Sequence, residues 1–202
     1  MTGIDRQAAF SGTKEVAPAL AIDAARLADY LKGRIAGFAG PLTIRQFRGG
    51  QSNPTYLLET PHRRYVLRRK PPGKLLPSAH AVDREFRVIS ALSQHGFPVP
   101  EALVYCADDS IAGTAFYVMS FADGRVFWDP DMPGATPSER AAVYDSMNAA
   151  IAKLHSFDPT AIGLSDFGRG EGYVARQVDR WSKQYRASET EIIADMDRLI
   201  EW

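Results

Sequence analysis

The chain has 202 residues, 45% hydrophobic and 10% aromatic, enough apolar content to build the core of one large domain or two small ones. Lys plus Arg equals Asp plus Glu at 24 each, with no block of like charge, so charge makes no case for a nucleic-acid or membrane-surface partner. The single cysteine, Cys106, builds no internal disulfide framework; it reads as a small buried hydrophobe in a reducing cytoplasm.

The N-terminal stretch carries Asp5, Lys14 and Glu15 and no continuous apolar core, so it is not a signal peptide. Residues 1–22 read as a flexible leader. No run of about 18 apolar residues occurs anywhere. Asp23 can cap a first helix from Ala24 to about Gly37, with Leu27, Leu31, Ile35 and Phe38 at helical spacing.

Three short strands follow, at Ile44–Phe47, Tyr56–Leu58 and Tyr65–Arg68, with the glycine turn Gly49-Gly50-Gln51-Ser52-Asn53 between the first two. Pro71-Pro72-Gly73 breaks the sheet. Ser78 can cap a second helix, Ala79 to His95, whose apolar face holds Val82, Phe86, Ile89 and Leu92. Gly96 and Pro98 stop it. Two more strands are expected at Ala102–Cys106 and Thr114–Phe121, joined by a turn at Asp108-Asp109-Ser110 and Gly113. Residues 23–122 thus read as a five-stranded antiparallel sheet with one inserted helix, preceded by an outer helix.

Residues 123–202 change character. Asp129 to Gly134 is a loop, and Thr136-Pro137-Ser138-Glu139 is a capping box that opens a helix ending near His155. Val143, Met147, Ile151 and Leu154 are its expected buried stripe. A helix over Tyr173–Arg186 follows, and Ser188–Glu191 is a second capping box opening a helix with Ile192, Ile193, Met196, Leu199 and Ile200. The stop at Trp202, with no cap and no closing loop, reads as a truncation. The fold class is α+β: a sheet-based lobe, a linker, and the first helices of an incomplete helical lobe.

A glycine turn can lay backbone N–H groups over phosphates, and a cation held near it can grip the same phosphates. Arg68 ends the third strand, and Glu85, seventeen residues on, lies on the next helix one position off its apolar stripe. A carboxylate there can hold such a cation in place. Each feature alone has a plain alternative: a hairpin turn, a solvated strand end, a helix surface. Their order and spacing favour the joint reading.

The chain resembles the aminoglycoside phosphotransferase and choline kinase-like superfamily, with its protein-kinase-like fold. The resemblance is carried by Phe47-Arg48-Gly49-Gly50-Gln51-Ser52-Asn53-Pro54-Thr55-Tyr56 and by Tyr65 through Gly73 with its Leu67-Arg68-Arg69-Lys70-Pro71-Pro72 core. Ala81–Phe86, Phe116–Met119 and Arg180–Tyr185 add to it. It is strongest to the kinase-like domains associated with acyl-CoA dehydrogenases and covers about Leu42 to Trp202. It implies an ATP-dependent small-molecule kinase that moves the γ-phosphate to a hydroxyl, with a hydroxyacyl-CoA or hydroxy acid as acceptor. Gly49, Gly50, Gln51, Ser52 and Asn53 would cover the phosphates, with Arg68 as their cation, Lys70 as the alternative, and Glu85 as its partner. Met119, Ser120, Phe121 and Ala122 would form the hinge whose backbone meets the adenine.

Two motifs imitate kinase parts and fail on spacing. His155-Ser156-Phe157-Asp158 has one residue too many for an H-x-D loop, and Gly163 stands where that loop needs Asn. Asp166-Phe167-Gly168 follows Asp158 too closely for the intervening hairpin. No histidine follows His155, so the family's H-G-D-x-x-x-x-N loop and later metal-binding Asp are absent from these 202 residues. The expected cofactors are ATP and Mg2+, the metal ligands lying outside the chain. The 202 residues are not expected to turn over alone, and uncovered apolar helix faces favour self-association. A module that binds nucleotide or a partner without catalysis is the alternative. Four scattered histidines and one cysteine make no metal site. The Arg63-Arg64 and Arg68-Arg69-Lys70 strand is too local to argue for RNA.

Overall fold

The computed structural model describes residues 6–49, 52–73, 80–168 and 170–202. The chain divides into two units, Met1–Gly163 and Leu164–Trp202. In the first, α1 (Arg6–Phe10), β1 (Thr13–Lys14) and a 3-10 turn (Pro18–Leu20) precede α2 (Ala24–Leu31). Then come β2 (Thr43–Phe47), β3 (Thr55–Glu59), β4 (Arg64–Arg69), α3 (Val82–Gln94), β5 (Ala102–Cys106), α4 (Asp109–Ala112), β6 (Phe116–Ser120) and α5 (Pro137–His155).

Among the described residues, six strands form one antiparallel sheet in the order β1-β2-β3-β4-β6-β5. The five expected strands are all present, with α3 inserted between β4 and β5. The sixth, β1, pairs Thr13 with Phe47 and Lys14 with Gln46. The segment expected as a flexible leader therefore carries elements and joins the sheet edge.

Alternation along the strands sorts side chains onto two faces. One face buries Tyr56, Leu58, Tyr65, Leu67, Phe116 and Val118 against Leu27, Leu31, Ile35 and Phe38. Fully burying a leucine such as Leu27 or Leu31 is worth about 1.5–3 kcal/mol. On the opposite face, Ala115 and Tyr117 pack with Val82, and Phe86, Ile89, Tyr105 and Met119 close around them. The sheet is thus covered by α2 on one face and by α3 on the other. Successive residues of one strand can serve a hydrophobic core on one side and a site on the other.

Several boundaries differ from the sequence reading. Asp23 caps α2 as expected, accepting from the N–H groups of Ala25 and Arg26, but α2 ends at Leu31 rather than near Gly37. Ile35 and Phe38 reach the same core from the following turns. Ser78, the expected cap of the second helix, lies outside the described residues; α3 begins at Val82 with no side-chain cap. The turn before β6 holds the short α4, capped by the Asp108 carboxylate and ended by Gly113 at φ 82°, a left-handed conformation that favours glycine.

The Thr136–Glu139 capping box forms as read. The stripe assigned to α5 is not buried: Met147, Ile151 and Leu154 are exposed and Val143 is half-buried. The spacing is helical, but the face it marks is exposed along most of its length.

In the second unit, α6 (Tyr173–Ser188) and α7 (Ala194–Glu201) are tied by Arg186, which pairs with Asp197 and reaches Glu189 at 3.4 Å. The capping box read at Ser188–Glu191 does not form. The Ser188 hydroxyl instead donates to the Gln184 carbonyl at 3.0 Å, so α6 runs through it, and α7 starts after Ile193. Val174, Val178, Trp181 and Ile192 are exposed. Among the described residues, no helix is long and apolar enough to cross a membrane.

Candidate active site

A cavity of ≈ 1310 Å³ opens on the α3-bearing face of the sheet. Val66 and Arg68 of β4, Thr55 of β3 and Met119 of β6 form part of its sheet wall. Gly49 stands at the turn after β2, and Phe121 and Ala122 lie just past β6. Residues 124–129 and 132–135, with Glu139 and Val143 of α5, close other sides. Mostly apolar walls with a few convergent polar groups suit a bound small molecule.

The charged centre is Arg68. Its Nε lies 2.7 Å from Glu85 Oε2, and its Nη2 donates to Oε1 at 3.4 Å. Strand alternation aims Arg68 at the α3 face, and the first turns of α3 carry Glu85 beneath it. Two further donors hold the carboxylate. Tyr117 Oη donates to Oε2 at 3.1 Å, and Asn53 Nδ2 donates to Oε1 at 3.0 Å. Burial, the Glu85 charge and this hydrogen bond all push the Tyr117 hydroxyl far above its ordinary pKa. It therefore stays a donor throughout the physiological range.

The expected site residues divide. Gly49, Arg68, Met119, Ser120 and Phe121 line the cavity, and Glu85 stands behind Arg68. Gly50 and Gln51 lie outside the described residues. Ser52 is exposed and does not line the cavity. Asn53, read as a phosphate-covering residue, is 3% exposed and holds Glu85 instead. Ser120 donates its N–H to the Glu101 carbonyl at 2.9 Å, and its hydroxyl accepts from the Glu101 N–H at 2.9 Å. The Phe121 ring lies against Arg64, whose guanidinium carbon is 4.1 Å from the ring centre.

Of the two candidate cations, Arg68 lines the cavity and Lys70 does not. The basic strand also splits apart. Arg64 pairs with Asp123 at 3.2 Å, Arg68 with Glu85, and Arg69 is buried on the opposite face.

Gly49 has a packing role that the sequence did not disclose. A β-carbon there would lie 2.5 Å from Trp128 Cη2 and 2.6 Å from Cζ2, so the missing side chain makes room for an indole. Trp128 rests on Phe10 with ring centres 5.4 Å apart. Gln7 fastens the same loop, donating to the Val126 carbonyl at 2.9 Å and accepting from the Trp128 N–H at 3.4 Å. The N-terminal segment therefore forms one wall of the cavity. Its elements are too short for periodicity to reveal them, and Tyr117 reads from sequence only as a strand-favouring core residue.

The motifs rejected on spacing have other surroundings. His155 is the last residue of α5. The Asp158 carboxylate accepts from the Thr160 N–H at 2.8 Å, closing its own turn, while the Phe157 ring packs on Phe97. Asp166 sits in a turn of the second unit. Among the described residues, no group of three or more His, Cys, Asp or Glu could hold a metal ion.

Three comparisons bear on this geometry. The profile of the Phosphotransferase enzyme family matches residues 43–202. The chain is 49% identical to acyl-CoA dehydrogenase family member 11 of Rattus norvegicus over 194 residues, and 48% identical to family member 10 of Mus musculus over 191. Those matches span 94% of this chain but 25% and 18% of the relatives' lengths. Among solved structures, a candidate aminoglycoside phosphotransferase from Ralstonia eutropha matches with TM-score 0.76 and 46% identity, over 90% of this chain and 53% of that one. The expected protein-kinase-like fold class stands with that neighbour.

Proposed function

The chain belongs to the Phosphotransferase enzyme family, and on that premise we propose that it is the nucleotide-binding part of an ATP-dependent small-molecule kinase. The observation that carries this is the Arg68 guanidinium, held by Glu85 at 2.7 Å on the wall of the large cavity. A fixed cation on an otherwise largely apolar wall suits a ligand with a flat apolar end and an anionic end.

The residues present fit ATP in this way. Val66 and Met119 would flank the adenine, and the backbone at Phe121–Ala122 would meet its edge, because the Ser120 N–H already serves Glu101. Arg68 would take the phosphates, with Gly49 above them. Arg presents a planar fork that can grip two phosphate oxygens at once, where a lysine would offer a point charge. ATP supplies the γ-phosphoryl group. Transfer breaks its bond to the β-phosphate oxygen, forms a bond to a substrate hydroxyl oxygen, and sends the hydroxyl proton to a base. That base and the Mg2+ ligands would come from outside residues 1–202. This chain's own contribution is to place and charge-balance the phosphates.

The named relatives are acyl-CoA dehydrogenase family members, so we propose a hydroxyacyl-CoA, or the corresponding hydroxy acid, as acceptor. The test incubates the whole protein that carries this chain with Mg·ATP and each of three acceptors: a hydroxyacyl-CoA, a free hydroxy acid and an aminoglycoside. ADP release with phosphate on the hydroxyacyl or hydroxy-acid hydroxyl is expected. Phosphorylation of the aminoglycoside alone would displace the acceptor, and no phosphorylation of any, with no ATP binding, would overturn the function.

A further inference from the structure

The Glu85 carboxylate has four neighbours arranged in a pattern. Oε1 accepts hydrogen bonds from Arg68 Nη2 and Asn53 Nδ2, and Oε2 accepts one from Tyr117 Oη, while Arg68 Nε lies against Oε2 as an ion-pair contact. A carboxylate offers about four lone-pair sites and only accepts, so rotating Glu85 away from Arg68 would also break the bonds from Tyr117 and Asn53. The two neutral donors approach from different elements, β6 and the turn before β3. Together they fix the carboxylate, and with it the position of the guanidinium that it faces.

The orientation of Asn53 is itself determined. Glu85 cannot donate, so the amide nitrogen must face it and Oδ1 must face His80. His80 Nδ1 lies 2.7 Å from that oxygen and must carry the proton. His80 stands at φ 58°, a left-handed conformation uncommon for a residue with a β-carbon. A hydrogen-bond chain therefore runs from His80 through Asn53 to Glu85 and Arg68, and Tyr117 joins it from the side. Because the Nε–Nη2 edge of Arg68 is turned to Glu85, the Nη1 side is the one left for a ligand.

We propose that Asn53 and Tyr117 are positioning residues that hold the Arg68–Glu85 pair in register with the phosphates of the bound nucleotide. The inference rests on the nucleotide site proposed above. Neither residue lines the cavity, so neither touches the ligand directly. Their effect on binding runs through Arg68 and vanishes when Arg68 is absent. That dependence separates positioning from general support of the fold, which would be felt in both backgrounds.

The test is a double-mutant cycle on the whole protein, read by calorimetric titration with Mg·ATP, with a melting curve for each variant. Tyr117→Phe keeps the ring in its core and removes only the hydroxyl. It is expected to weaken ATP binding about fivefold when Arg68 is present and to change nothing in the Arg68→Ala background. Asn53→Ser run through the same cycle is expected to show the same coupling, and it carries the test if Tyr117→Phe does not fold. Equal weakening in both backgrounds, or none in either, would overturn the positioning role. A wild-type protein that binds no ATP would overturn the nucleotide site itself, an outcome distinguishable from the first two.

Discussion

Arg68 and Arg69 are neighbours on β4 whose guanidinium groups lie on opposite faces of the sheet. Arg68 meets the Glu85 carboxylate on the cavity side. Arg69 is 4% exposed and, among the described residues, meets no carboxylate: it donates to the Ala112 carbonyl and, at 2.8 Å, to the Leu20 carbonyl, over the Tyr56 ring. Leu20 also accepts from the Tyr56 hydroxyl at 3.1 Å, so Arg69 ties the 3-10 turn and α4 to the sheet. Arg69→Met should therefore lower stability by roughly 1–3 kcal/mol, since the Ala112 carbonyl loses its donor and the Leu20 carbonyl keeps only the Tyr56 hydroxyl. Nucleotide affinity in the folded fraction should stay unchanged. Denaturant unfolding beside ATP titration checks both parts.

The glycine turn should respond to Trp128. Gly49→Ala puts a methyl group where the indole now sits, 2.5 Å from Cη2, and the ring must move off Phe10. A loss of about 1–2 kcal/mol is expected in the wild-type background. In Trp128→Ala the same substitution should cost a few tenths of that, because the obstruction is gone. Equal costs in the two backgrounds would mean that Gly49 serves the backbone and not the indole.

A pH dependence follows from the start of α5. The Thr136 N–H and hydroxyl both donate to Glu139, and these bonds, the backbone one foremost, lower its pKa. A carboxylate with a depressed folded pKa stabilises the fold above its unfolded value, about 4.3, and that stabilisation disappears as pH falls through the lowered folded value. Glu139→Gln should be less stable than wild type at neutral pH. The gap should close below about pH 4, as read from melting temperatures across the acid range. A gap that does not change with pH would contradict the assignment.

Asp166→Ala should leave phosphoryl transfer by the whole protein within about twofold of wild type, because the triplet Asp166-Phe167-Gly168 lacks the spacing of a kinase's metal-binding triplet. Single-turnover rates with a folded variant check this. A dead but folded variant would reinstate the triplet.

The Arg68–Glu85 pair was legible because it is a matter of order: a cation closing a strand, and a carboxylate near the start of the next helix. The sheet was legible for the same reason, as apolar runs between turn residues. What escaped depends on three-dimensional packing. A five-residue helix and a two-residue strand are too short to show a period, so the N-terminal wall of the cavity was read as a leader. Asn53 follows a glycine turn and so looked like a phosphate ligand, but the chain bends it inward to Glu85. Tyr117 alternates like any core tyrosine, and only its hydroxyl, 3.1 Å from Oε2, reveals its second task. The helical spacing of Met147, Ile151 and Leu154 was real, but periodicity records which residues share a face and not whether another element covers it.

The most direct test of the central claim is calorimetric titration of the whole protein with Mg·ATP, comparing wild type with Arg68→Ala and Lys70→Ala. Arg68 lines the cavity and Lys70 does not. Saturable one-to-one binding by wild type, about tenfold or greater weakening in Arg68→Ala, and little change in Lys70→Ala are expected. Absence of ATP binding by folded wild type, or loss of binding in Lys70→Ala with Arg68→Ala unaffected, would contradict it.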